Sequence, residues 1–518
     1  MLAVVVSRAD EASVHIGDHL LDLADWSESA DGSRPDADGG GTVYRLAGDA
    51  GDAGEGTGGD TTEPVELREF DRLHLDLERP ADAFGEPELL VFVSRHSGET
   101  GPLLTAHHTG NVGPADHGGE PNRFARACPN AHARVLDALA ARAPEGYEVG
   151  MECTHHGPTD VGAPSMFVEV GSGPEEWADP DAAQAVARAV LDLRSVPADR
   201  EPERSAGGTD PEADRETDKT RRHLLGVGGG HYAPRFERVV RETDWAVGHV
   251  AAGWGLDLLA EDEYRPVVER LLAESRAAYA LLEGERPEAA AAVEAAGGRV
   301  VGETWVRETD GVPLPFVRAV ESAVATVGEG LRFGDLAHED GGASGEWRAG
   351  DNNGGPPAFA VADLPPDLLA EARGIDREAT REVLAARTLA FVTDQGGTRP
   401  TGPAVLRTPE AYEGIVDGLV DVLETQYSAV TRRANEDHDT GGPDGDGEMI
   451  IARETAFDPE KARTLGVPEG PKFGKLADGK GVEVDGERIP PEAVRTEREV
   501  AFSISKTVRR PSDDGEIS

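Results

Sequence analysis

The order of hydrophobic and polar positions predicts alternating strands and helices over the first half of the chain. Short apolar runs and one strictly alternating run predict strands at residues 2–6, 88–94, 147–154, 165–170, 223–227 and 245–250. Helical spacing predicts helices over residues 9–23 and 131–143, and Asp179 followed by Pro180 predicts a capped helix start. The alternation favours an α/β fold with a mostly parallel central sheet flanked by helices.

The pattern also suggests how the chain is divided. We expect an α/β domain over residues 1–280, with acidic insertions near 26–65 and 197–220. Beyond about residue 280 helices dominate the pattern, so residues 281–505 are predicted to form a helical or mixed C-terminal region. Four stretches lack the apolar side chains needed to offset their ordering entropy, and we expect them to be flexible: 48–60, 197–220, 339–357 and 436–448. Residues 506–518 are predicted to be a disordered tail.

The charge of the chain changes the expected environment. Asp and Glu number 99 against 51 Lys and Arg, which gives a formal net charge of −48. Such a surface repels itself in dilute salt, whereas molar salt shortens the Debye length to roughly 3 Å. This indicates adaptation to a very salty cytoplasm, although an acidic protein that binds basic partners is the alternative. We expect a cytoplasmic protein, since apolar runs of about 18 residues, a signal peptide and a disulfide framework are lacking.

The histidines gather near the ends of the predicted strands. Ten of the 15 histidines lie between His96 and His249. The carboxyl ends of strands in an open α/β sheet converge on the ligand crevice, so we expect these loops to meet. Their candidate functional side chains are His96, His107, His108, Glu152, His155, His156, Asp160 and His231.

Imidazole and carboxylate groups are typical ligands of a catalytic zinc ion, which keeps one position open for water. Zinc lowers the pKa of that water to about 7 and polarises a carbonyl, so metal-assisted hydrolysis is our first interpretation. Each feature also has a simpler explanation, since a single loop histidine is usually solvated and the glycines at 228–230 are compatible with an ordinary turn. His155 and His156 would point to opposite faces of a regular strand, so both reach one metal only if the chain bends there.

Four motifs in one order resemble the archaeal and plant type of D-aminoacyl-tRNA deacylase. They are Ser94-Arg95-His96, His108-Thr109-Gly110-Asn111, Glu152-Cys153-Thr154-His155-His156-Gly157-Pro158-Thr159 and Gly228-Gly229-Gly230-His231-Tyr232-Ala233-Pro234-Arg235. The segment 164–169 and the pair Glu176-Trp177 extend the resemblance, which covers roughly residues 1–280.

The resemblance implies a monomeric, zinc-dependent α/β hydrolase whose fold is similar to peptidyl-tRNA hydrolase and nucleoside phosphorylase. Its substrate would be D-aminoacyl-tRNA rather than DNA or a membrane, and it would cleave the ester at the tRNA 3′ end using two zinc ions. Candidate metal ligands are His96, His107, His108, Glu152, His155, His156 and Asp160. Proton-transfer candidates are His96, His108, His155, His156 and His231.

Two further groups are expected to contact the reacting ester or the tRNA. The backbone amides of Gly228, Gly229 and Gly230 would help to stabilise the oxyanion that forms at the ester carbonyl. Arg95 and Arg235 lie in the motifs themselves and are candidate tRNA contacts.

A lysine-bearing segment near the C-terminus suggests a further tRNA contact. Four of the six lysines fall between residues 461 and 480, and Lys472, Lys475 and Lys480 would face phosphates. A solvated turn before a strand at 482–484 explains them equally well. The Gly-Pro-x-x-Gly-Lys-Leu stretch here is similar to one in zinc-dependent tRNA 3′-processing nucleases, but their His-x-His-x-Asp-His motif is lacking. A non-catalytic, zinc-holding tRNA-binding protein is the remaining alternative.

Overall fold

The strands predicted in the first part of the chain pair into two sheets. The computed structural model describes residues 1–48, 63–203, 217–342, 359–434, 448–504 and 507–509. The expected flexible stretches at 48–60, 197–220, 339–357 and 436–448 lie largely outside these ranges. The chain forms two units, Met1–Asp310 and Gly311–Ser518. The expected boundary at residue 280 falls inside the first unit, because two strands after that point complete its second sheet.

The first unit contains a large and a small sheet. The large sheet has the order β2-β3-β4-β1-β5-β8-β6-β7, and the small sheet has the order β10-β9-β11-β12. The strands are β1 (Leu2–Ser7), β2 (Ser27–Asp31), β3 (Gly41–Leu46), β4 (Val65–Phe70), β5 (Leu89–Arg95), β6 (Leu103–His107), β7 (Glu148–Met151), β8 (Ser165–Gly171), β9 (His223–Gly228), β10 (Ala246–Ala251), β11 (Tyr279–Glu283) and β12 (Arg299–Val301).

Parallel pairing predominates in these sheets, as the sequence predicts. Strands β4, β1, β5 and β8 run parallel, and the small sheet is parallel throughout. Antiparallel pairs join β2 to β3, β3 to β4, and β6 to β8. Strands β2 and β3, which lie within the expected acidic insertion near 26–65, extend the edge of the large sheet.

Two helices of the first unit begin at aspartate caps. Asp10 accepts hydrogen bonds from the backbone N–H groups of Ala12 and Ser13, and Asp179 caps its helix as predicted. The helices are α1 (Glu11–Asp22), α2 (Pro129–Arg142), α3 (Pro174–Trp177), α4 (Pro180–Leu191), α5 (Pro234–Glu242), α6 (Gly253–Leu256), α7 (Tyr264–Glu274), α8 (Pro287–Ala295) and α9 (Glu303–Glu308), with 3₁₀ turns His74–Asp76 and Pro80–Ala83.

A short backbone bridge connects the loop after β7 of the large sheet with the loop after β9 of the small sheet. Strand β7 ends at Met151, earlier than the predicted residue 154, and Glu152 then forms an isolated antiparallel bridge with Tyr232. The N–H of Cys153 donates to the carbonyl of His231 at 2.8 Å, and the N–H of Ala233 donates to Met151 at 2.9 Å. This bridge brings the chain after β9 against the chain after β7.

The second unit is richer in strands than the sequence predicts. Its sheets have the orders β13-β15-β16-β14-β22, β17-β18-β21 and β19-β20, and all of their pairs are antiparallel. The strands are β13 (Leu331–Phe333), β14 (Ala360–Asp363), β15 (Ala390–Asp394), β16 (Arg399–Leu406), β17 (Ala429–Ala434), β18 (Glu448–Phe457), β19 (Val482–Val484), β20 (Glu487–Ile489), β21 (Arg495–Ile504) and β22 (Val508–Arg509). Strand β22 lies within the tail that we expected to be disordered.

The described residues of the second unit also form helices. They are α10 (Leu314–Ala323), α11 (Asp335–Gly342), α12 (Pro366–Ile375), α13 (Arg377–Arg387), α14 (Ala411–Glu424), α15 (Pro459–Thr464) and α16 (Pro471–Ala477), with 3₁₀ turns Val327–Glu329, Gln395–Gly397 and Pro491–Val494. Buried leucines of α12 and α14 pack with Phe391 of β15 in one core. Among the described helices of both units, none is long and apolar enough to cross a membrane.

Candidate metal centre and active site

In three histidines at the end of β6 and after β7, Nδ1 of the imidazole ring faces a backbone carbonyl. Nδ1 of His107 contacts the carbonyl of His108 at 3.1 Å, Nδ1 of His155 contacts that of Cys153 at 2.8 Å, and Nδ1 of His156 contacts that of Gly157 at 2.8 Å. Because a carbonyl only accepts, each Nδ1 carries the proton and each Nε2 keeps its lone pair. This is how backbone groups orient histidines that bind metals.

The same three rings lie close enough to hold one ion. Their centroids are 4.5–4.6 Å apart, and one ligand atom from each lies within 4.8 Å of the others. Nε2 of His107 is buried and has no hydrogen-bond partner among the described residues. Three protein ligands and one open position are the arrangement of a catalytic zinc site, so this donor set fits zinc.

A second group of ligand atoms surrounds the carboxylate of Glu152. Nδ1 of His96 lies 3.1 Å from one carboxylate oxygen, and Nε2 of His231 lies 2.9 Å from the other. Glu169 lies 3.6 Å from His96 and 3.8 Å from Nε2 of His107, and it accepts a hydrogen bond from Ser94 at 2.7 Å. The His155 and His231 rings are 4.4 Å apart, so the two groups are adjacent.

Burial and charge set the protonation states of these side chains. Burial alone would lower the pKa of His96, but the carboxylates of Glu152 and Glu169 raise it to about 11. Burial also opposes ionisation of Glu152, yet contacts with His231 and His96 hold the pKa of its carboxyl well below the ordinary value. Burial and the neighbouring His107 lower the pKa of His156 to about 4. Near pH 7 the site therefore combines a neutral His156 with a protonated His96 and an ionised Glu152, and a cation bound at His96 would displace its proton.

Tyr232 orients His96 from the other side of its ring. The tyrosine oxygen lies 3.0 Å from Nε2 of His96, and its hydroxyl donates to Thr100 at 3.3 Å. Because the hydroxyl proton faces Thr100, Nε2 of His96 is the donor and Nδ1 faces the carboxylates. Sequence reasoning missed both Tyr232 and Glu169, although Tyr232 follows His231 in its motif and Glu169 is the one carboxylate in predicted strand 165–170.

Two predicted metal ligands, His108 and Asp160, lie outside the groups of described side chains that could hold an ion. His108 follows His107 directly, and its Nδ1 contacts the carbonyl of Gly248 at 2.9 Å. Its ring lies 4.6 Å from His132 and 5.6 Å from His249, and we call these three the buried histidine group. The same position excludes His108 as the proton-transfer group. Asp160 is 65% exposed and pairs with Arg79 at 3.3 Å, because the chain has turned to the surface there.

The glycine loop packs closely against Glu283. Gly228 and Gly229 have φ angles of +98° and +78°. A Cβ on Gly228 would lie 2.1 Å from the carbonyl oxygen of Glu283, and one on Gly229 would lie 2.8 Å from its carboxylate. The loop also brings His231 to Glu152, and the role of its amides at an oxyanion stays a prediction.

The predicted tRNA contacts are distributed over both units. Arg95 lies with its guanidinium 5.2 Å from the ring centroid of Trp177. Arg235 donates to the carbonyl of Leu282 and pairs with Glu303 at 3.3 Å, so it already has partners. In the second unit, Lys472 and Lys475 belong to α16 and Lys480 follows it; Lys472 donates to the carbonyl of Glu483 at 2.7 Å.

Comparison with known proteins adds an independent finding. The sequence model of a family described as D-aminoacyl-tRNA deacylase matches residues 83–300. A D-aminoacyl-tRNA deacylase of Haloarcula marismortui is 53% identical over 96% of this chain and 99% of its own length. One of Halorubrum lacusprofundi is 51% identical over 97% of both chains. A crystal structure of a conserved protein of unknown function is 28% identical, with a TM-score of 0.46, over 60% of this chain and 98% of that chain.

Proposed function

The chain belongs to the D-aminoacyl-tRNA deacylase family, and we propose how its histidines and carboxylates carry out the reaction. The enzyme hydrolyses the ester bond of D-aminoacyl-tRNA and releases free D-amino acid and tRNA. The motif resemblance is confirmed by relatives that match nearly the whole chain. Because those relatives are deacylases, they favour this reaction over a non-catalytic tRNA-binding protein and over a 3′-processing nuclease.

Zinc is held by Nε2 of His107, His155 and His156. The observation that carries this assignment is the common orientation of the rings, with each Nδ1 donating to a backbone carbonyl. Zinc, when bound, supplies water of lowered pKa and polarises the ester carbonyl. His96, Glu152 and His231 offer the donors for the second ion that the family resemblance implies.

His231 is the group best placed to move a proton to the leaving ribose oxygen. Its side chain is 38% exposed, against 5% for His96 and 14% for His155. Glu152 lies beside Nε2 of His231, so that Nδ1 keeps the lone pair of the neutral ring. When only the first zinc position is filled, Glu152 orients His231 as a general base and then a general acid.

The assignment is tested by measuring zinc and turnover together. His156→Ala should lower the zinc content and slow single-turnover release of D-tyrosine from D-tyrosyl-tRNA in molar KCl. His231→Ala should slow release by a factor of about 100 or more while the first zinc position stays filled. Full activity of either variant would exclude the assigned role, and comparison with L-tyrosyl-tRNA measures the chiral preference.

The remaining expectations concern tRNA docking and the state of the protein. Lys472, Lys475 and Lys480 contact tRNA phosphates in our proposal, because they are concentrated in a chain with only six lysines. Replacing all three with Ala should weaken binding and lower its salt slope by about one unit per lost contact, with little change in the hydrolysis step. Normal binding would leave them as solvated side chains. We also propose a cytoplasmic monomer, which gel filtration in high salt would test.

A further inference from the structure

A pocket of about 310 Å³ opens beside the candidate metal centre. His156, His231 and Glu169 line it together with Leu73, Leu75 and Asp10. Asp10 follows β1 and the two leucines follow β4, so the pocket lies at the carboxyl ends of parallel strands. Its volume is at the lower end of the range of small-molecule sites, about 300–1,000 Å³.

We propose that this pocket is the aminoacyl subsite, where Leu73 and Leu75 contact the side chain of the D-amino acid and Asp10 faces its α-ammonium group. The inference rests on the proposed function, since the ester carbonyl has to lie at the zinc-binding histidines next to the pocket. It adds a specificity site that the metal centre alone does not provide.

The apolar wall is built from one 3₁₀ turn. His74 in this turn is buried, with its ring 5.7 Å from the rings of both Phe92 and Phe167, and it contacts the hydroxyl of Ser13 at 3.3 Å. The flanking Leu73 and Leu75 remain only half-buried and line the pocket. Covering such apolar surface with a substrate side chain is favourable by about 25 cal/mol per Å².

Asp10 supplies the charge expected of an ammonium-binding group. Its carboxylate is buried and accepts three backbone hydrogen bonds, from Ala12, Ser13 and Arg95. His74 lies 4.0 Å away, but burial lowers its pKa to about 4, so it stays neutral near pH 7. The guanidinium of Arg95 lies over Trp177. A buried carboxylate whose hydrogen bonds come from backbone N–H groups complements the small cation that every aminoacyl ester carries.

Three contacts at fixed positions also explain how chirality is sensed. The α-carbon of the aminoacyl group carries four substituents. Three of them have a contact in this proposal: the ester carbonyl at the histidines, the ammonium group at Asp10 and the side chain at the leucines. The L-enantiomer can place only two of them correctly at once, and the third then meets the wrong surface. The pocket therefore favours one hand by geometry.

The side-chain contact is tested by changing the size of Leu75. Leu75→Trp fills the pocket, so kcat/KM for D-tyrosyl-tRNA should fall by roughly 10–200-fold, while that for D-alanyl-tRNA should change by less than about 3-fold. Leu75→Ala should instead lower kcat/KM more for D-alanyl-tRNA than for D-tyrosyl-tRNA. Leu258→Trp, at a leucine that is 61% exposed, is the matched control. Equal effects on both substrates, or none, would overturn the proposal. If the unmodified enzyme hydrolyses neither D-tyrosyl-tRNA nor D-alanyl-tRNA, the proposed function itself is contradicted.

The ammonium contact is tested with Asp10→Asn. Asn keeps one oxygen to accept from Ala12 and Ser13 at the start of α1, but its NH₂ group then faces the N–H of Arg95, so thermal melts are needed to measure the loss of stability. The variant should lose at least about tenfold in kcat/KM on D-tyrosyl-tRNA, the effect of about 1.4 kcal/mol, but not on N-acetyl-D-tyrosyl-tRNA, which has no ammonium group. An equal loss on both substrates would show a merely structural role and overturn this contact.

Discussion

His107 and His108 are adjacent in the chain, yet they belong to two groups with different surroundings. His107 joins His155 and His156 beside Glu152 and Glu169, at the edge of a pocket. His108 joins the buried histidine group, where backbone carbonyls, Thr154 and other histidines surround the rings. Successive residues of an extended chain point to opposite sides, which separates the two groups.

The difference shows that histidines alone do not make a reactive site. Neighbouring carboxylates and a pocket that admits substrate are also needed. Burial lowers the pKa of His132 and of His249 to about 4, so these rings stay neutral and contribute to packing. Around His96 the carboxylates outweigh the same burial effect and raise its pKa. Four predictions test this contrast, from the largest expected effect to the smallest.

Removing neighbouring histidines should have opposite consequences. His107→Ala should cost several kcal/mol of transition-state stabilisation, or roughly 10³-fold in single-turnover rate, because a metal ligand is lost. His108→Ala should keep the rate of the folded enzyme within about 3-fold while lowering its melting temperature, since it leaves a cavity. Thermal melts and deacylation rates on both variants provide the check. Equal loss of activity in the two variants would erase the distinction between the groups.

Removing the charge of Glu152 should disable the site without unfolding it. Glu152→Gln keeps the shape of the side chain but weakens its contacts with His96 and His231, so hydrolysis should slow by about 10²–10⁴-fold. Glu148→Gln, at an exposed position of β7 shortly before Glu152, is the matched control and should behave like the parent. A parent-like rate for Glu152→Gln would mean that the carboxylate charge is not needed.

Removing the tyrosine hydroxyl should weaken metal binding by a smaller amount. Tyr232→Phe takes away the group that fixes the ring of His96, and loss of such a partner costs about 10–100-fold in metal affinity. Competition with a zinc chelator measures this directly. If Tyr232 only packs against His96, zinc affinity will stay at the parent value.

The buried histidine group should be visible in the pH dependence of stability. Its members have pKa values below the unfolded value of about 6.5, so the unfolded chain binds more protons between pH 6.5 and pH 4. The stability from neutral His132 is thus present above pH 6.5 and is lost as the pH falls, by about 2 kcal/mol at pH 5. Denaturant titrations of His132→Leu should show a shallower loss from pH 7.5 to pH 5. A slope equal to that of the parent would contradict this account.

The sequence predicts the strands and the convergence of their loops better than it predicts individual ligands. His96, Glu152, His155, His156 and His231 meet as expected, but not at one edge of one sheet, because β6 and β7 run opposite to β5 and β8. The bridge between Glu152 and Tyr232 brings the chain after β7 to the chain after β9. The bend required for His155 and His156 exists, because the regular strand already ends at Met151.

The errors in the predicted site have a physical origin in long-range geometry. Local sequence does not show that His108 and Asp160 lie outside the candidate metal groups, because it does not fix which way a side chain points or where the chain returns to the surface. Glu169 was missed because its role depends on β8 lying between β5 and β6, which local periodicity does not reveal. The leucines of the pocket carry no chemical signal in the sequence at all.

The bridge between Glu152 and Tyr232 has a consequence for assembly of the enzyme. It joins residues on either side of position 210, so neither half of the first unit contains a complete set of reacting groups. A chain divided between residues 203 and 217 would leave His96, Glu152, His107, His155 and His156 in one fragment and His231 with Tyr232 in the other. Hydrolysis would then require the fragments to associate, and its rate would report their complementation.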